Sequence, residues 1–219
     1  MDPGPLPQAT SLADAARRQK PMRWLPAAWT RVLGDVPASG GSALVFGPPG
    51  SRKSTALLLL LGHAVRAGHT AILVDGEMGS GAIASLVDAT GLSRTDTRKI
   101  RRQPVRAVAH VDDALRKSRA SVAVVDSVSA LAGEPADALR WAELVDLLLV
   151  VAHVTVEGRP RGGTGLSHDL DVVLRFGRGE VRTEKSRFGP GATVPIDELL
   201  QPPTEVHDHR VVQLHEESA

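Results

Sequence analysis

An α/β fold, with a mostly parallel twisted sheet flanked by helices and a carboxyl-terminal β-hairpin, is predicted by three observations. Short apolar runs of strand length recur at residues 43–46, 70–74, 121–127 and 147–152. Helix-favouring segments at 53–66, 82–89, 111–117 and 136–145 fill the intervals, the alternation that builds parallel sheets. Two later runs, 171–176 and 180–186, meet at Gly177-Arg178-Gly179, the spacing of a hairpin.

The first of these runs opens the stretch that organises the chain. Residues 43–46 predict a buried strand, Gly47 to Gly50 break it, and Lys53 to Arg66 predict a leucine-rich helix. In the pattern G-x-x-x-x-G-K-[S/T], backbone N–H groups and the positive start of a helix cradle phosphates. The lysine reaches the terminal phosphates, and the hydroxyl holds Mg²⁺. Gly47, Pro48, Pro49, Gly50, Ser51, Arg52, Lys53, Ser54 and Thr55 occupy this pattern, so ATP and Mg²⁺ are the expected ligands. Lys53 is the phosphate cation and Ser54 the metal hydroxyl. One position departs from it, because Arg52 stands where a glycine is expected. Where the loop needs positive φ, a non-glycine costs about 1–2 kcal/mol. Lysine is scarce, with 5 against 21 arginines, so its placement at 53 is not compositional noise.

Composition narrows the class further. A chain of 219 residues with 42% hydrophobic content suffices for one well-buried domain, and 3% aromatics make its core aliphatic. Twenty-six basic against 25 acidic residues give a formal charge of +1, so any polyanion site is local. The absence of cysteine excludes disulfides, thiolate zinc sites and a cysteine nucleophile. No apolar run approaches the roughly 18 residues of a membrane span, and the first residues lack a basic-then-apolar pattern. A soluble, cytoplasmic protein is expected. Residues 1–22, rich in proline, read as a mobile tail, 23–200 as the folded domain, and 201–219 as a polar tail.

Along the chain, residues 24–34 suggest a short amphipathic element in which Trp24 or Trp29 either packs or stacks on an adenine. The 70–74 strand delivers Asp75-Gly76-Glu77-Met78 to its carboxyl end, the edge where open parallel sheets bind ligands. Glu77 is the candidate general base, with Asp75 as its competitor. A helix over 82–89 stops at Gly91. The basic stretch 94–102 reads as a solvated loop rather than a nucleic-acid contact, since no aromatic is interleaved. A strand over 105–109 and a helix over 111–117 follow. The 121–127 run is four apolar residues closed by an acid, which assigns Asp126 to the metal, with Ser127 supporting it. His153, at the end of the 147–152 strand, either senses the γ-phosphate or is an ordinary packed or exposed histidine. Gly158 to Gly165 form a basic, glycine-rich loop able to grip phosphates.

Taken in order, Gly47 to Thr55, Asp75-Gly76-Glu77, Val124-Val125-Asp126-Ser127, His153-Val154-Thr155 with Glu157-Gly158, and Lys185-Ser186-Arg187-Phe188-Gly189 resemble the RadA/Sms-type members of the RecA-like ATPases. The resemblance covers about residues 29–190. It implies a RecA-like core in which Glu77 matches the catalytic glutamate. Lys185 and Arg187 match cations that act across a subunit interface, which implies a homo-oligomer, as a hexameric ring or filament. It also implies coupling to single-stranded DNA, for which Arg159, Arg161, Gly162 and Gly163 are the candidates. The likeness is to a core alone, without the zinc module or the protease-like domain of those proteins. Arg52, Ser186 and Val156 depart from the family pattern, and only 26 residues separate Asp126 from His153. An alternative is a weakly hydrolysing, nucleotide-gated module, of the KaiC or helicase-accessory sort, that acts on a protein partner.

Overall fold

The computed structural model describes residues 20–132, 138–155, 158–160 and 163–203. Eight strands form one sheet: β1 (Gly41–Phe46), β2 (Ala71–Asp75), β3 (Ile100–Pro104), β4 (Val122–Asp126), β5 (Leu147–Ala152), β6 (Val172–Phe176), β7 (Glu180–Ser186) and β8 (Thr193–Pro195). They lie in the order β3-β2-β4-β5-β1-β6-β7-β8. Every pairing from β3 to β6 is parallel, and β7 and β8 are added antiparallel. The α/β class and the carboxyl-terminal hairpin are therefore as the sequence predicts.

Two apolar layers sandwich the sheet. On one face, Ala43, Val45, Val124, Leu149 and Leu174 pack under α1 (Ala27–Leu33) and α2 (Lys53–Arg66). On the other, Leu44, Phe46, Val125, Val150 and Val173 pack under α5 (Ala109–Ser118) and α6 (Ala138–Ala142). Adjacent residues of one strand serve opposite layers, which is why these strands are apolar throughout rather than alternating. Helix α2 is covered on several sides, by the sheet, by α3 (Ser80–Thr90) and α4 (Arg94–Lys99), and by α8 (Ile196–Leu199). All five leucines from Leu57 to Leu61 are buried as a result. Each contributes about 1.5–3 kcal/mol of transfer free energy.

Several elements depart from expectation. The stretch 94–102 is not a solvated loop but α4 followed by the start of β3, and the third strand is 100–104 rather than 105–109. Strand β3 is an edge strand with four of its five residues exposed, so it carries no apolar signal. Helix α4 is capped by Ser93, whose Oγ accepts the Asp96 N–H at 3.1 Å. Besides α4, three elements lie outside the predicted ones: α7 (Gly163–Asp169), which begins in the glycine-rich stretch 158–165 and runs past it, and the short β8 and α8. Met22, assigned to the amino-terminal tail, is buried, and Pro21 bridges to Pro37.

The turn after β2 is fixed by Asp75, which is fully buried. Its Oδ1 accepts the backbone N–H groups of Glu77 and Met78 at 3.0 and 2.8 Å. Its Oδ2 accepts Nε and Nη2 of Arg102, from β3, at 2.9 and 2.5 Å. Removing the guanidinium strands a buried carboxylate. An Arg102→Ala protein is expected to lose roughly 2–4 kcal/mol in urea unfolding, somewhat below a wholly buried pair because Arg102 is partly exposed. A loss under about 0.5 kcal/mol would mean that solvent already screens the pair.

Candidate active site

Parallel register brings the predicted motifs to one edge of the sheet. Phe46 pairs with Ala152, so Gly47 and His153 emerge side by side from β1 and β5. Asp75 pairs with Asp126, so the turn carrying Glu77 emerges beside the metal candidate. Gly47 is demanded by close approach, since a Cβ there would come within 2.2 Å of the Phe176 carbonyl oxygen. Arg52 has φ of +62°, so the left-handed strain anticipated for a non-glycine at that position is present.

The Arg52 side chain does not cap α2, and the first backbone bond of the helix runs from the Ala56 N–H to the Arg52 carbonyl. The N–H groups of Lys53, Ser54 and Thr55 are thus outside the helical ladder, as at any helix start. Lys53 folds over the loop, and its Nζ donates to the carbonyls of Gly47 (2.9 Å) and Pro48 (3.0 Å) and to Ser51 Oγ (3.2 Å). Burial pushes its pKa below the ordinary lysine value, against the opposing pull of Asp126 and Glu77. Ser54 Oγ donates to Asp126 Oδ2 at 2.5 Å. Burial raises the Asp126 pKa above the ordinary carboxylate value, and the Ser54 hydrogen bond opposes the rise.

Glu77 is the exposed carboxylate of the 75–78 turn, whereas both oxygens of Asp75 are taken by the turn and by Arg102. Glu77 Oε2 lies 2.9 Å from His153 Nε2 and accepts the Ser127 hydroxyl at 3.0 Å. His153 is therefore tied to the candidate base. The two tryptophans are elsewhere. Trp29 is buried in the core, and Trp24 packs on His69, centroids 5.2 Å apart, beyond the far end of α2.

Lys185 and Arg187 lie at the opposite edge. Lys185 pairs with Val173 near the amino end of β6, while the carboxyl end, Phe176, touches Gly47. Lys185 Nζ donates to the carbonyls of Ser167, His168 and Leu170, capping the end of α7. Burial and the neighbouring Arg187 lower its pKa. Arg187 bonds Asp171 Oδ1 at 3.1 Å and the His168 carbonyl at 3.2 Å.

No family model matches this chain. Among curated proteins, it is 32% identical to the DNA repair protein RadA of Mycobacterium tuberculosis over 182 residues, 73% of this chain and 38% of that protein. It is 30% identical to that of Mycolicibacterium smegmatis over 197 residues, 77% of this chain and 41% of that protein. The RadA of Synechocystis matches 89% of this chain at 27% identity, and 46% of its own length is covered. The chain carries a RadA-like core. It spans less than half the length of these relatives.

Several residues of this RadA-like core were not singled out in the sequence. A cleft of about 440 Å³ beside the loop is walled by Gly177–Gly179 of the β6–β7 turn and by Asp197 of α8. Only the spacing of the hairpin hinted at that wall. Of the DNA candidates, Arg159 is exposed, with its carbonyl accepting the Thr155 N–H at 2.7 Å, and Gly163 opens α7. Arg161 and Gly162 lie outside the described residues. No described helix is long and apolar enough to cross a membrane.

The donor set suits the ligands that the core implies. Ser54 and Asp126 offer hydroxyl and carboxylate oxygens, which is how Mg²⁺ is held when phosphates and water complete its shell. The three N–H groups at the start of α2 and the Lys53 ammonium suit phosphate. Because burial disfavours ionised Asp126 in the fold, Asp126→Asn removes that penalty while keeping an acceptor for Ser54. Without nucleotide, its melting temperature is expected to rise, by about 2–4 °C per kcal/mol recovered. A fall would show that the carboxylate itself holds the site together.

Proposed function

We propose that this chain is a Mg²⁺-dependent ATPase that assembles with copies of itself and couples hydrolysis to single-stranded DNA in recombination, repair or replication. One juxtaposition carries the reading: Lys53, the Ser54–Asp126 pair and the Glu77–His153 pair share one sheet edge, reached from four different strands. Lys53 exchanges its carbonyl partners for the terminal phosphates, and the loop amides hold the others. Ser54 and Asp126 would hold Mg²⁺, which would neutralise phosphate charge. Glu77 orients an attacking water and takes its proton, while His153 fixes the carboxylate and responds to the γ-phosphate. These roles are positioning and charge neutralisation, the main demands of phosphoryl transfer.

Geometry supports action in trans. Lys185 and Arg187 lie about the length of β6, roughly 13 Å, from the loop of their own chain. They serve the site of a neighbour, where a cation supplied in trans is worth about 10³–10⁵-fold in rate. Arg159, Arg161, Gly162 and Gly163 follow the strand that ends in His153, and this loop is the proposed DNA contact.

A second reading is favoured by the left-handed backbone at Arg52. A loop strained there suits a slowly hydrolysing module in which ATP controls assembly with a protein partner. ATP turnover with and without single-stranded DNA, at fixed low salt, separates the two. Stimulation is expected for a DNA-coupled motor, and background turnover with ATP-dependent assembly for the module.

Glu77→Gln is expected to bind ATP within a few-fold of the parent and to lose about 10²–10⁴-fold in turnover. Unchanged turnover removes Glu77 from the chemistry. An Arg187→Ala protein should bind nucleotide and hydrolyse it poorly. Mixing it with Lys53→Ala should restore part of the rate, since one chain supplies the intact loop and the other the cation. No recovery in mixtures that co-assemble counts against action in trans.

A further inference from the structure

The cleft beside the phosphate loop contains three ionisable side chains. Arg52 comes from the loop, Arg178 from the β6–β7 turn and Asp197 from the first turn of α8. Arg52 Nη1 bonds Asp197 Oδ1 at 3.1 Å, and both side chains are largely exposed, at 58% and 80%. An exposed, singly bonded pair of this kind is weak and easily exchanged. Among the described residues, no carboxylate pairs with Arg178. Counting the described residues alone, the cleft thus holds one paired cation, one without a carboxylate partner and a net positive charge.

The cleft continues from the loop towards the β6–β7 turn, away from Glu77 and Asp126. A nucleotide with its terminal phosphates at Lys53 and Ser54 therefore enters the cleft with its nucleoside end and the phosphate next to it. A guanidinium binds phosphate through two parallel N–H bonds, a stronger arrangement than the single bond to Asp197. Here the helix start adds to the field that draws the anion in. We propose that the Arg52 guanidinium exchanges Asp197 for the phosphate nearest the nucleoside when ADP or ATP binds. Asp197 holds the guanidinium at the cleft in the nucleotide-free protein and competes with the ligand for it. The strained backbone at Arg52 is then the cost of placing a cation where glycine has none. This inference rests on the nucleotide reading above.

The test is calorimetric titration of ADP into the full chain and into Arg52→Gly, Asp197→Asn, the double variant and Lys53→Ala. Glycine suits φ of +62°, so Arg52→Gly keeps the fold, which a thermal melt verifies. Arg52→Gly is expected to weaken ADP binding about tenfold, and Asp197→Asn to tighten it about threefold. The double variant should match Arg52→Gly, because the carboxylate matters only while the arginine is there to be held. If Arg52→Gly binds ADP as tightly as the parent, the proposal is overturned. It is overturned equally if Asp197→Asn tightens binding by the same factor without Arg52, since the carboxylate then acts on the ligand directly. Loss of binding in Lys53→Ala with none in Arg52→Gly sinks this inference alone. No ADP binding by the parent sinks the nucleotide reading with it.

Discussion

Parallel strand pairing is the constraint on which the site depends. Four strands that share direction end on one edge, and the register of β1 with β5 and of β2 with β4 sets which residues emerge together. Residues from 47 to 153 become neighbours with no contact between their loops being required beforehand. The burial of β1, β2, β4 and β5 on both faces locks that register. A slip of one residue would turn every side chain of a strand to the opposite layer, and although both layers are apolar, it would move each terminal acid by about 3.3 Å.

The two kinds of cation are used differently. The arginines near the core pair with carboxylates, as in Arg102 with Asp75 and Arg66 with Asp96. The two lysines at the sheet edges are bound chiefly by backbone carbonyls, Lys53 over the loop and Lys185 at the end of α7. A guanidinium fork matches a carboxylate, whereas an ammonium spreads three protons over any oxygens that surround it. Carbonyl oxygens carry no formal charge, so such a lysine is held without a carboxylate partner to be displaced by an anion. Lys53 is thus held in place by the loop itself.

Much of this was legible in the sequence. Helix α2 and strands β5 and β7 have the limits that their residue patterns predict, because length, apolar content and glycine boundaries all agree there. The loop lysine, the terminal acid of β4 and the 75–78 turn were equally plain. What escaped was polar or short. Strand β3 pairs on one side only and reads as charge, and α8 is four residues held by packing rather than by propensity. The division of labour between Asp75 and Glu77 was also hidden. It depends on Arg102, a residue from an edge strand that the sequence did not reveal as a strand.

Strand β6 joins two features that lie far apart in their roles. Its last residue, Phe176, lies against Gly47 of the phosphate loop, and its first residues pair with the Ser186 and Lys185 backbone and adjoin Asp171, which holds both Ser42 and Arg187. Under the action in trans proposed above, it serves as a ruler, with the site of its own chain at one end and the contribution to the next chain at the other. Its five residues, stiffened by pairing on both sides, fix the spacing between Gly47 at one end and Lys185 at the other. A longer or shorter β6 would shift these two ends against each other by about 3.3 Å per residue.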